Sequence, residues 1–104
     1  MDRLVLPILA ADGRVASNVS FTAVLEIADI ELAAARSRIP EYRDVVVVTS
    51  LGYFGHVART SGSIDPGRLQ ELLRSRLHLR PELPPVRSVV LVDFIVKPAA
   101  GSAQ

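Results

Sequence analysis

The chain contains no cysteine, which removes a disulfide frame, a thiolate nucleophile and any cysteine-type zinc site while leaving the redox compartment open. It also lacks a run of about 20 apolar residues, the length a membrane-spanning helix requires. Met1-Asp2-Arg3 is followed by an apolar stretch too short for a signal peptide, so the chain as given is expected to be soluble and untargeted. Aromatic residues make up 5% of the sequence. That is too few for the stacking platforms that bind single-stranded nucleic acid, and it leaves the core to Val, Leu, Ile and Ala. A dominant charge is missing as well: the formal net charge is +1, with acids and bases interspersed. Lys97 is the only lysine, and the excess of arginine reads as codon bias rather than selection for phosphate. Charge therefore points to no nucleic-acid partner.

What remains is 104 residues of which 49% are hydrophobic, enough apolar surface to offset the entropy of ordering one compact domain. The expected organisation is a single α+β domain over residues 1–98 and a disordered tail over 99–104. Leu4 to Ala10 and Val15 to Ala28 flank Asp12-Gly13, a dipeptide suited to a tight hairpin turn. Val19, Phe21, Ala23, Leu25 and Ile27 share one face of the second arm, the period-2 signature of a half-buried strand. Pro7 cannot donate to a ladder and places the first strand at an edge, or breaks it.

Asp29 is expected to cap an alanine-rich helix through Arg36, with Pro40 interrupting it. Tyr42 to Thr49 contains Val45-Val46-Val47-Val48, whose β-branching favours a buried strand on local grounds. Gly52, Gly55 and Thr60 to Ser63 mark a loop, with no regular element between Ala58 and Ile64. Asp65-Pro66 is a helix start signal, and Leu69, Leu72, Leu73 and Leu77 form the apolar stripe of a helix ending near Leu79. Pro81, Pro84 and Pro85 lead into a last strand, Val86 to Val96, whose mixed faces predict burial on both sides.

No catalytic constellation accompanies these elements. His56, expected in a glycine-flanked loop, and His78 have no ligand partner at metal spacing, and both read as solvated structural residues. Ser50, Ser61, Ser63 and Asp65 lack a nucleophile elbow or a base, and loop and cap chemistry accounts for them. Leu51-Gly52-Tyr53-Phe54-Gly55-His56 lacks the Gly-Lys-Ser/Thr ending of a phosphate cradle. Asn18-Val19-Ser20 matches a glycosylation acceptor only formally. Arg68, Arg74, Arg76 and Arg80, with Glu71 and Glu82 interleaved, read as a solvated helix face. Tyr53 and Phe54 are either exposed contacts or core. No catalytic, metal or cofactor residue is assigned; the candidate partner contacts are Tyr53, Phe54, Arg68 and Arg74.

The ordered motifs resemble a family. The hairpin, then Val24-Leu25-Glu26-Ile27-Ala28-Asp29, then Ile39-Pro40-Glu41-Tyr42-Arg43-Asp44-Val45-Val46, look like the start of the periplasmic domain of FliL-type flagellar basal-body-associated proteins. Leu51-Gly52-Tyr53-Phe54 and the Thr60-to-Ser63 loop sit where that family has a short glycine-containing connection, and the helix Leu69 to Leu79 and Val89-Val90-Leu91-Val92-Asp93-Phe94-Ile95-Val96 continue the match, over about residues 4 to 97. The resemblance implies a stomatin (SPFH)-like α+β domain with a hairpin, two to three helices and a C-terminal strand in one antiparallel or mixed sheet. It implies a periplasmic location, an inner-membrane anchor that residues 1–104 do not contain, and helix rather than strand over Tyr42 to Ser50. It further implies a non-enzymatic motor accessory domain without cofactors, self-associating when tethered and engaging stator and basal-body proteins. Two other readings are a small ligand-binding or protein-interaction module unrelated to motility, and a nucleic-acid binder using the arginine helix.

Overall fold

The computed structural model describes residues 3–10, 12–60 and 62–98. Its elements follow in the order β1 (Leu4–Leu9), β2 (Val15–Glu26), a short 3-10 turn (Asp29–Glu31), α1 (Leu32–Arg36), α2 (Ile39–Thr60), α3 (Pro66–His78) and β3 (Ser88–Pro98). The strands make one antiparallel sheet in the order β1-β2-β3, with α2 and α3 packed on one face. The α+β class expected from sequence is the class observed. The tail over 99–104 lies outside the described residues.

The hairpin forms at Asp12-Gly13. Gly13 takes φ +84°, a conformation that glycine adopts without steric cost, and the Asp12 carboxylate accepts from the Arg14 N–H at 3.0 Å. Pro7 sits on β1, an edge strand, opposite Asn18. Along β2 the odd residues Val19, Phe21 and Ala23 are buried, as the alternation predicts.

In β3 the alternation is reset once. Ser20 pairs with Ile95 and Thr22 with Val92, so Phe21 alone faces the two residues Asp93 and Phe94. This is a β-bulge, and Asp93 carries it at φ 53°, a left-handed conformation that Asp tolerates better than most residues. Without the extra residue, Asp93 would point into the core; with it, Phe94 does, and its ring stacks on Phe21 at 5.6 Å. Arg3 fastens the bulge from outside, its guanidinium donating to Ser20 Oγ at 2.9 Å and to the Asp93 carbonyl at 3.1 Å.

Three expectations need correction. The last strand is buried on one side only: Val89 and Leu91 are covered, whereas Val90 and Val92 are exposed, because helices cover a single face of the sheet. Asp29 does not cap a helix through its side chain; it is the first residue of the 3-10 turn, and the alanines after it form only a five-residue helix. Finally, Gly52 and Gly55 do not lie in a loop, and the helix they belong to runs past Ala58 to Thr60, whereas residues 62–65 have no regular structure, as expected. Residues 39 to 60 are one continuous 22-residue helix, in which Pro40 occupies the first turn, where its missing N–H has no intrahelical partner to lose.

The four valines are thus helical, against their local preference. That preference costs on the order of 2 kcal/mol for four valines relative to alanine. The helix offsets it by placing Tyr42, Val45, Val46, Ser50, Phe54 and Val57 on one buried face, where a fully buried Val alone contributes about 1.5–3 kcal/mol. Within this face the Ser50 hydroxyl has no protein hydrogen-bond partner, a conflict costing roughly 1–3 kcal/mol.

The sequence reading of α3 holds at its start. Asp65 Oδ1 accepts from the Gly67 N–H at 2.9 Å, with Pro66 following, a cap contributing about 1 kcal/mol. Leu69, Leu73 and Leu77 are buried, but Leu72 is only half-buried. Gln70 reaches the sheet: its Oε1 accepts from the Leu91 N–H at 2.8 Å, so α3 satisfies one donor on the outer edge of β3. Leu73→Ala is therefore expected to cost about 2–5 kcal/mol and Leu72→Ala distinctly less. Urea titrations showing equal losses at the two positions would contradict this placement.

Candidate interaction surface

α2 and α3 are joined by the short segment 61–65 and run back along one another, leaving a groove of about 750 Å³ between their outer faces. Its apolar lining is Val45, Val48, Leu72 and Leu79. Two of these are strongly exposed, Val48 at 61% and Leu79 at 70%, although each is large enough to favour burial. Arg68, Arg76 and Arg80 line the α3 side. On the α2 side stand Asp44, Thr49, Tyr53 and His56, with Gly52 among them.

Helix geometry explains the gathering. Positions 45, 48, 49, 52, 53 and 56 recur at spacings of three and four, one stripe of α2. Arg68, Leu72, Arg76 and Leu79 repeat the same spacing on α3. Over eight residues the α3 stripe rises about 12 Å, setting Arg68 and Arg76 roughly that far apart along the groove.

The charged groups fall into two sets. Arg38 and Glu41 form a bidentate pair, Arg80 pairs with Glu82, and Arg38 Nη1 also donates to the Glu82 carbonyl at 3.3 Å. Together with the Tyr42 hydroxyl, which donates to the Pro84 carbonyl at 2.7 Å, these contacts fasten the proline loop to the start of α2. The Arg38 hydrogen bonds hold the Glu41 carboxyl below the usual carboxylate range, and Arg80 does the same for Glu82. Burial pushes the Tyr42 phenol up. In contrast, neither Arg68 nor Arg76 forms an ion pair among the described residues.

The four partner-contact candidates separate in space. Tyr53 is half-buried on the groove wall, its hydroxyl accepting from the Asp65 N–H at 3.0 Å. Arg68 stands across from it. Arg74 lies outside the groove, on the flank of α3 beside Glu71 and Ser88. Phe54 is no contact residue: at 1% exposure it takes the core alternative of the two expected, because it falls one residue beyond Tyr53 on the buried face of α2. His56 is also relocated, from the expected loop to an exposed position on α2.

Sequence reasoning missed Val48, Gly52, Leu79 and Arg76 as groove residues. The usable signal was the three-and-four spacing from Tyr42 to Val57, which the run of valines obscured. Gly52 is notable for what it does not do. A Cβ at this position would meet no atom within 4 Å, whereas one at Gly55 would meet Arg59 Nη1 at 3.3 Å. In the middle of a helix glycine costs about 1 kcal/mol relative to alanine, and nothing inside the domain requires it at position 52.

Among the described residues no cluster of three or more His, Cys, Asp or Glu could hold a metal ion, and no helix is long and apolar enough to cross a membrane. Neither protein-family models nor curated proteins give a match to this chain.

The lowered carboxyl values carry a pH dependence. A carboxyl whose pKa is depressed by folding stabilises the domain above its unfolded value, and that contribution is lost as pH falls through the folded value. The advantage of the parent over Glu41→Gln should therefore be full at pH 7 and shrink in acid, below the usual carboxylate range. It should be small throughout, since the pair is solvent-accessible. Denaturation midpoints of both proteins at pH 7, 5 and 3 check this; a gap that widens in acid would contradict it.

Proposed function

We propose that this domain is a non-enzymatic accessory module of the bacterial flagellar motor, of the FliL type, acting through protein contact. In the intact protein it stands in the periplasm, tethered to the inner membrane, where it self-associates and modulates stator units at the basal body. The observation that carries the reading is the state of Tyr42 to Ser50. Local propensity argues for strand there, the family resemblance argues for helix, and the segment is helical. The order of hairpin, helices and terminal strand is also the order that the resemblance implies, while the glycine-containing connection it places at Leu51 to Phe54 is helix in this chain. The Asp-Phe embedded in the last strand has a structural task, since it makes the bulge that turns Phe94 onto Phe21.

A contact role also suits the surface. Val5, Val24, Val90, Val92 and Ile95 are exposed on the open face of the sheet, and Val24 pairs directly with Val90 across the strands. Tethering raises effective concentration, so contacts too weak to hold free domains together still close an assembly at a membrane. The free domain is accordingly expected to be monomeric at low concentration.

The deciding experiment is motility in cells whose only copy lacks this segment and keeps its anchor. Impaired swimming or surface motility, with stator units lost under load, is expected. Normal behaviour in all three assays would sink the motor assignment and leave a protein-interaction module unrelated to motility.

A further inference from the structure

We propose that the groove between α2 and α3 is the seat of an amphipathic helix from a partner protein, with carboxylates along the flank that faces α3 and its backbone close over Gly52. The first observation is charge. Arg68 and Arg76 line one wall of the groove and have no acidic partner among the described residues, while Arg80 at the same wall is already paired with Glu82. Asp44 is the one carboxylate lining the groove, on the opposite wall. Two open guanidiniums beside an apolar lining complement a helix with leucine-like residues on one face and Asp or Glu on an adjoining flank.

The second observation is Gly52. It is helical, takes no positive φ, and a side chain there would meet open space. A glycine that weakens its own helix and fills no internal requirement is explained by the close approach of something outside. Helices normally pack with axes 8–10 Å apart, the distance depending on the side chains at the contact, and a glycine at the contact permits the short end of that range. The third is exposure: Val48 and Leu79 flank the same groove and lie open, so a helix laid along it would cover both.

This occupant does not depend on the motor assignment, and its test needs no flagellar component. A phage-displayed library of helix-biased random peptides is panned against the 104-residue chain, with soluble Gly52→Leu chain as competitor. Enriched peptides should carry apolar residues at i, i+3 or i+4, and i+7, with Asp or Glu on one flank. A synthetic winner should bind at least tenfold more weakly to the Arg68→Glu/Arg76→Glu variant and more weakly in raised salt. It should lose binding to Gly52→Leu, whose melting temperature equals or exceeds the parent's. Failure of any peptide to enrich over the competitor would overturn the proposal, as would winners that lack an acidic flank or bind Gly52→Leu equally well. A concentration-dependent dimer in sedimentation that Gly52→Leu abolishes would give the groove to a second copy of this chain, and would overturn it too.

Discussion

The structure depends on one buried contact layer: the face of α2 that carries Tyr42, Val46 and Phe54, laid against the sheet face that carries Val19 and Phe21. Everything else is arranged around it. β1 supplies Leu4 and Leu6 to the same layer, α3 closes it with Leu69, Leu73 and Leu77, and the proline loop seals its end with Leu83 and Val86. Because this layer lies on one side of the sheet only, the opposite side keeps its valines exposed, and the outer faces of the two long helices are left free to form a groove.

The bulge at Asp93 serves the same layer. A regular strand would carry the inward phase from Leu91 to Asp93 and bury a carboxylate, whose isolated burial costs far more than a methyl group gains. One extra residue exposes the carboxylate, turns Phe94 inward and lets the strand continue to Pro98. The Arg3 guanidinium then spans all three strands, reaching from the edge of β1 over Ser20 to the Asp93 carbonyl. At the other edge Gln70 does comparable work for α3 and β3. Polar side chains therefore fix the sheet's phase and borders, while apolar ones fix what it packs against.

Much of this was legible in the sequence where local chemistry and tertiary packing agree. Asp12-Gly13, the alternation through Phe21, Pro7 at an edge and the Asp65-Pro66 cap all proved to be what their residues suggest. The failures lie where the two disagree. Gly52 and Gly55 look like loop residues because glycine weakens a helix, yet they sit inside one held by the burial of Phe54 and Val57. The alanine-rich composition after Asp29 was no guide either, since Ala33 and Ala34 are exposed and offer little to bury. For the site, Arg68 and Tyr53 were visible as candidates, but their meeting across a groove required knowing that α2 continues to Thr60. Phe54 could not be separated from Tyr53 until the helix put the two on different faces.

The functional reading leans on the same competition between local preference and packing, since the helical state of the valine run is what links this chain to the arrangement its motifs resemble. The most direct measurement is the Cα chemical shift of Val45 to Val48, recorded in the intact chain and in a peptide of residues 38–61. Helical shifts in the chain and near-random or extended shifts in the peptide are expected, because burial against the sheet supplies what propensity does not. Extended shifts in the intact chain, or full helicity in the free peptide, would contradict that explanation.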